Sequence, residues 1–246
     1  MKLLLTTSLL LAATLYCNAQ KDTIMVDSRN LAVKDLHFGK STYLIYAKSG
    51  KDKPAQNQTL VQMDVAKQND VVAISQTWFE KDTVSHTALS LLRANDLSTI
   101  KHDYWWKRTG QKISLDFEKK TANIEGKMTD AQKEKYLKDF NAAVESNHFV
   151  NWHADLTMFP LLPFKENVVF KIKFYDPGYR VPNFEVYKVK ASEKIEGIDC
   201  WVLEYTLPRN MGYQRFYIAK KNKEVIKEED SFNGMFRIKL KMLVSE

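Results

Sequence analysis

Residues 168–179 read VVFKIKFYDPGY. Phe170, Ile172 and Phe174 alternate with Lys171 and Lys173, and the run ends in Asp-Pro-Gly. Alternation with a period of two marks a strand with one dry face and one wet face. The Asp-Pro-Gly that follows is turn chemistry, because Pro pre-sets φ and Gly accepts a positive one. This is half of an antiparallel hairpin, and the same grammar continues to the C-terminus. WVLEYTL (201–207) aligns Trp201, Leu203, Tyr205 and Leu207. FRIKLKM (236–242) sets Phe236, Ile238, Leu240 and Met242 against Arg237, Lys239 and Lys241, which are expected on the wet face. IEGID (195–199), PRNMG (208–212), KKNKE (220–224) and SFNGM (231–235) supply the reversals. The C-terminal third therefore reads as a meander of about five short-looped strands.

Upstream, KISLDFEK (112–119) points Ile113, Leu115 and Phe117 one way. Segments near 42–48, 58–67, 71–80, 84–93 and 98–107 also read as strands, with less clean alternation. Strands and helices do not alternate as a parallel doubly wound sheet would require. One helix stands out. TDAQKEKYLKDFNAAVES (129–146) opens with a capping residue and brings Tyr136, Leu137, Phe140 and Val144 near one face. Its continuation can stay helical as far as Phe159, until Pro160 and Pro163 stop it.

That continuation contains NWHADLTMFPLLPF (151–164), an almost uncharged run in a chain that is 27% charged. A large curved sheet does not fill its concave side with its own side chains. Trp152, Leu156, Phe159, Leu161, Leu162 and Phe164 are therefore the candidate lid and the candidate ligand-binding residues. The expected fold is mainly β (α+β): a single strongly curved antiparallel sheet or half-barrel, with one or two helices covering the concave face. The expected domain is one unit over 20–246, with the lid segment near 130–164.

The composition is that of an ordinary soluble chain: 246 residues, 44% hydrophobic and a formal charge of +7. The start differs. Lys2, an apolar run from Leu3 to Tyr16 and small residues before Gln20 read as a secretory signal peptide over 1–19. The expected location is periplasmic or secreted. A lipoprotein signal acylated at Cys17 is the rival, disfavoured by the bulky Tyr16. Intact-mass measurement on protein from the native envelope is expected to give a chain starting at Gln20, and a diacylglycerol-modified Cys17 would reverse that reading. Cleavage leaves Cys200 alone, so the expected fold has no intrachain disulfide. The lysines are scattered along the chain, which argues against a nucleic-acid partner and allows weak association with a membrane surface.

Motifs for chemistry are thin. FGKST (38–42) ends like a phosphate-binding loop, but Lys34 stands where its first Gly is needed. His148 and His153 are five residues apart, unlike the four-residue spacing of zinc peptidases, and with Asp155 read better as a polar edge beside an apolar face. KHDYWWKR (101–108) could stack on a sugar or base, and packing at a sheet edge explains it with less. Cys200 lies inside a strand, and Glu228 and Glu229 are adjacent rather than convergent. No catalytic residue, metal or cofactor is expected.

Taken together, FPLLPF, FKIKFYDPG, VYKVKASEKIEGIDCWVLEYTL, RFYIAKKNKEVIKEED and MFRIKLK give a layout that resembles periplasmic proteins of the outer-membrane lipoprotein carrier superfamily (LolA and LolB type). The resemblance is best over residues 145–243. It implies a half-barrel closed by helices over an apolar concave face, and binding of a lipid, acyl chain or lipoprotein. Two functions lead on the sequence: an exported non-enzymatic protein binding such a ligand, or a solid-cored cell-envelope adaptor or structural protein with none; a hydrolase with an unconventional site is a third and weaker one.

Overall fold

The fold was described from a computed structural model, which covers residues 22–146, 149–178 and 180–242. The leader and His148 lie outside the described residues. The first half of the chain supplies β1 (Thr23–Met25), β2 (Gly39–Lys48), β3 (Gln56–Gln68), β4 (Val71–Glu80), β5 (Thr83–Arg93), β6 (Thr99–Trp106), β7 (Gln111–Asp116) and β8 (Thr121–Glu125). Next come α1 (Asp130–Val144), β9 (Val150–Asn151), α2 (Asp155–Met158) and a 3-10 turn over Phe159–Leu161. The C-terminal meander is β10 (Val169–Asp176), β11 (Arg180–Ile195), β12 (Ile198–Thr206), β13 (Gly212–Ala219), β14 (Val225–Phe232) and β15 (Met235–Lys241).

Among the described residues, fifteen strands join in one open, curved sheet. Its path runs β1-β10-β11-β12-β13-β14-β15-β2-β3-β4-β5-β6-β7-β8, with β9 beside β10. Two consecutive meanders are thus stitched together where β15 pairs with β2, Lys239 opposite Ile45. All pairings are antiparallel except two short ones, β1 and β9 against β10. Twist alone curls a sheet of this width. Register shifts add to it, among them Lys190/Glu193 in β11 and Trp78/Phe79 in β4. Among the described residues, no helix is long and apolar enough to cross a membrane.

Cross-strand register defines the concave face. One row runs Val189, Leu203, Phe216, Glu228, Lys239, Ile45 and Thr59 across six pairings. Another runs Tyr43, Val61, Trp78, His86 and Trp106. The expected faces of β7 and β10 are met: Ile113, Leu115, Phe170 and Ile172 are buried. β12 is buried on both faces: Leu203 lies on the concave side, while Cys200 and Val202 pack with Tyr217, Ala219 and Ile226 on the other. β15 is reversed. Its Arg237, Lys239 and Lys241 face the concave side, where Lys239 sits opposite both Glu228 and Ile45. Acidic residues on β14 supply counter-charges, so the basic residues can turn inward.

The helical stretch is also corrected. A capping box closes α1 at Thr129 and Gln132, but α1 ends at Val144 rather than continuing to Phe159. Val150 and Asn151 instead extend along β10. Phe140 and Ala143 are buried against Ile113, Leu115 and Tyr104, so α1 covers the β5–β8 part of the concave face. Leu137, expected on the buried face, is exposed. Gly178 keeps the β10–β11 turn against α1: its φ is +80°, and a Cβ there would lie 2.1 Å from the Tyr136 ring.

Candidate functional site

The rest of the concave face is covered by residues 150–164. Leu156, Met158, Phe159, Leu161 and Leu162 are all buried, in one cluster with Tyr43, Val61, Ile74, Phe170, Leu203 and Phe216. Phe159 is the wedge. Its ring centroid lies 4.7 Å from Phe216, 5.1 Å from Tyr187 and 6.2 Å from Phe174. Trp152 and Phe164 are half-buried at the two ends, Phe164 stacked at 10° on Trp201. The lid is not the sole non-strand cover: Val26, Leu31 and Leu36 join the same cluster, and Ala32 N–H donates to the Leu161 carbonyl.

Space under and beside the lid is uneven. Between Leu156, Leu161, Tyr43, Met63 and Val65 there is a gap of about 70 Å³. That falls below the roughly 300–1,000 Å³ of ordinary ligand pockets. Beside Trp152, in the seam between lid and α1, lies a cleft of about 470 Å³. Trp78, Tyr104, Trp106, Tyr136 and Trp152 line one part of it, and Arg108, Gln132, Lys135, Asp176 and Arg237 line the rest. The aromatics of KHDYWWKR thus split, Tyr104 and Trp106 facing this cleft and Trp105 the opposite side of β6.

The lid's polar residues face inward. His153 Nε2 lies 2.7 Å from His86 Nε2, and His153 Nδ1 lies 3.2 Å from His102 Nε2. His86 Nδ1 is 2.7 Å from the Trp105 carbonyl, and His102 Nδ1 is 2.9 Å from Ser90 Oγ. Gln76 Nε2 donates to the His153 carbonyl at 2.7 Å. Aromatic rings enclose the chain: Trp106 stacks on His86 at 3.7 Å, and Trp78 meets it edge-on at 5.3 Å. Burial pushes His86 and His102 down to about 4, and pushes His153 well below the usual imidazole range, with His102, His86 and Lys239 adding to it. All three rings are neutral at pH 7.

Asp155, two residues on, is also buried, and its Oδ1 accepts from Leu156 N–H at 2.6 Å. Burial pushes it up to about 8, against the opposing field of Lys239 and with the help of Glu228. Lys239 Nζ is 2.5 Å from Glu228 Oε2, and Arg237 Nη2 reaches Glu228 at 2.9 Å and Asp230 at 2.6 Å. Burial pushes Glu228 up, but Lys239 and Arg237 outweigh it and hold its carboxyl low. The expected polar edge at His153 and Asp155 is therefore a buried polar seam, made possible by partners on β5, β6, β14 and β15.

Chemically, Ser90 and His102 have the contact of a nucleophile and its base. Ser90 is 0% and His102 1% exposed, so no substrate reaches that hydroxyl in this conformation. His153 spends its two nitrogens on different partners, so the rings do not converge. Among the described residues, no group of three or more His, Cys, Asp or Glu is placed to hold a metal ion. Cys200 is buried in β12, where burial pushes its thiol up.

Residues 42–241 match the family described as protein of unknown function DUF3108. The chain belongs to that family. No curated protein matches this DUF3108 chain. Among solved structures it is similar to MucB, at 10% identity and a TM-score of 0.35, over 87% of this chain and 55% of MucB, so it spans about half of MucB's length. A LolA-superfamily protein from Nitrosomonas europaea matches over 89% of this chain and 92% of its own, at 10% identity and a TM-score of 0.29. A putative outer membrane lipoprotein-sorting protein domain from Vibrio parahaemolyticus matches over 84% and 85%, at 11% identity and a TM-score of 0.28.

Proposed function

We propose that this DUF3108 chain is an exported, non-enzymatic protein of the cell envelope that binds an apolar ligand, a lipid, acyl chain or lipoprotein, on the concave face of its half-barrel. The observation that carries the reading is the cleft of about 470 Å³ at the edge of the lid, where five aromatic rings meet a polar rim that suits an amphipathic ligand with an apolar chain. An apolar chain enters beside Trp152 and takes the floor that the lid occupies in the closed state. Trp152, Leu156, Phe159, Leu161, Leu162 and Phe164 then line its path. Each buried CH₂ contributes about 0.8 kcal/mol, so a long acyl chain offsets the apolar contacts the lid gives up.

A solid-cored adaptor is the second reading. Burial of Leu156, Phe159, Leu161 and Leu162 with a gap of only about 70 Å³ beneath favours it. Solvent extraction of protein purified from its native envelope, followed by mass spectrometry, separates the two. A stoichiometric lipid supports the carrier, and an empty extract with no uptake of a long-chain fatty acid leaves the adaptor. For the carrier, Trp152→Ala is expected to weaken fatty-acid binding roughly tenfold, equivalent to about 1.4 kcal/mol. Isothermal titration against wild type checks it, and equal affinities would remove Trp152 from the ligand path.

A further inference from the structure

The three histidines join lid to sheet, and with every ring neutral the Trp105 carbonyl sets the direction of their hydrogen bonds. A backbone carbonyl only accepts, so His86 carries its proton on Nδ1 and accepts at Nε2. His153 must then donate from Nε2 and accept at Nδ1. His102 in turn donates from Nε2 and accepts the Ser90 hydroxyl at Nδ1. The order of donation is Ser90, His102, His153, His86, Trp105 carbonyl, with every ring neutral.

One extra proton fits. Placed on His102 Nδ1 it donates to Ser90, which turns its own hydroxyl to Asn151 Oδ1 at 3.4 Å. A second does not fit. Each nitrogen–nitrogen contact holds one hydrogen, so the next proton sets N–H against N–H across the 2.7 Å or the 3.2 Å contact. Both of those contacts join the lid to the sheet.

We infer that the His86–His153–His102 chain is an acid-sensitive latch, which holds residues 151–164 over the concave face at neutral pH and releases them when the chain takes up further protons. The inference names the regulation of the ligand site and rests on that reading for its purpose, though not for its geometry. Other charged groups face the seam. Asp103 on β6 favours charge on His102, and Lys239 on β15 opposes it on His153. Asp155 works in the opposite sense. Its carboxyl is protonated under the lid and ionises when the lid lifts, so acid favours closure through this one group. Asp230 is pushed up in the same sense to about 6 by burial and by Glu228, with Arg237 opposing, but it stays with Arg237 on the sheet. Opening frees three imidazoles with ordinary values near 6.5, against one carboxyl on the lid itself. Below about pH 6 the open form therefore binds more protons, and acid opens the lid.

Hydrogen exchange of the whole mature chain at pH 7.0 and 4.5, corrected for intrinsic rates, tests this. Protection of peptides within 151–164 is expected to fall at least tenfold at pH 4.5 while β12 and β13 keep theirs, and His153→Gln is expected to abolish that difference. If that variant does not fold, long-range ¹H–¹⁵N spectra of wild-type histidines serve instead. They should show the proton on Nδ1 of His86 and on Nε2 of His102 and His153. Unchanged lid protection, parallel loss in β12 and β13, or other tautomers would overturn the latch. Uptake of N-phenyl-1-naphthylamine separates the two readings. A lid that opens at pH 4.5 with no dye bound at either pH upholds the latch and removes the carrier. Dye binding with a lid closed at both pH values removes the latch alone.

Discussion

Phe159→Ala is expected to lower the unfolding free energy by about 3–5 kcal/mol, the range for deleting a large buried aromatic. The ring is 1% exposed and touches three aromatic rings from β10, β11 and β13, none of which moves without breaking sheet pairings. The cavity left by the truncation therefore stays open. Urea unfolding checks the value through a lower midpoint at constant slope, since the slope follows the surface exposed. A smaller loss with a shallower slope would mean that the lid lifts locally before the sheet unfolds, capping the cost at the free energy of lid docking. Trp152→Ala, at the half-buried edge, is expected to cost only about 1–2 kcal/mol. The contrast between the two sites measures how much of the lid is core and how much is gate.

How far the sequence reveals this arrangement depends on the distance over which each signal acts. β7 and β10 announce themselves because alternation is local and one-sided burial enforces it, whereas β12, buried on both faces, shows only half of its burial in the pattern. β8, TANIE, does not: only Ala122 and Ile124 face inward, too few to show a period. β11 carries Pro182 near its start and so reads poorly as a strand. The lid was legible as composition, and Phe159, Leu161 and Leu162 do meet the sheet. What lies beneath it was not. His86 and His102 come to His153 from 67 and 51 positions away, and nothing nearby in the sequence pairs them. A faint signal existed: His86 and Ser90 share the inward face of β5 with Ala88 and Leu92, where an apolar face has no use for them unless they find partners. The same holds for Lys239, whose place in FRIKLKM looked solvated because the acid that turns it inward lies on the neighbouring strand.

That acid gives the second large effect. Glu228→Leu is expected to cost about 3–5 kcal/mol at pH 7, as removal of one partner from a buried ion pair does. Glu228 is 2% and Lys239 5% exposed, and Glu228 also holds Arg237. Without it, the field of Lys239 is no longer offset by Glu228, so the Asp155 carboxyl should fall from about 8 and ionise in compensation. Its fall is a second readout, visible in a carboxyl-carbon NMR titration, and it trims the loss without cancelling it. Lys239→Met added to Glu228→Leu should restore most of the stability, because two apolar side chains of similar volume then meet between Ile45 and Phe216. Arg237 keeps Asp230 in both variants. A double variant no more stable than the single one would mean that Lys239 is held by Asp155 already. The seam beneath the lid would then be one shared charge network rather than an ion pair beside a protonated acid.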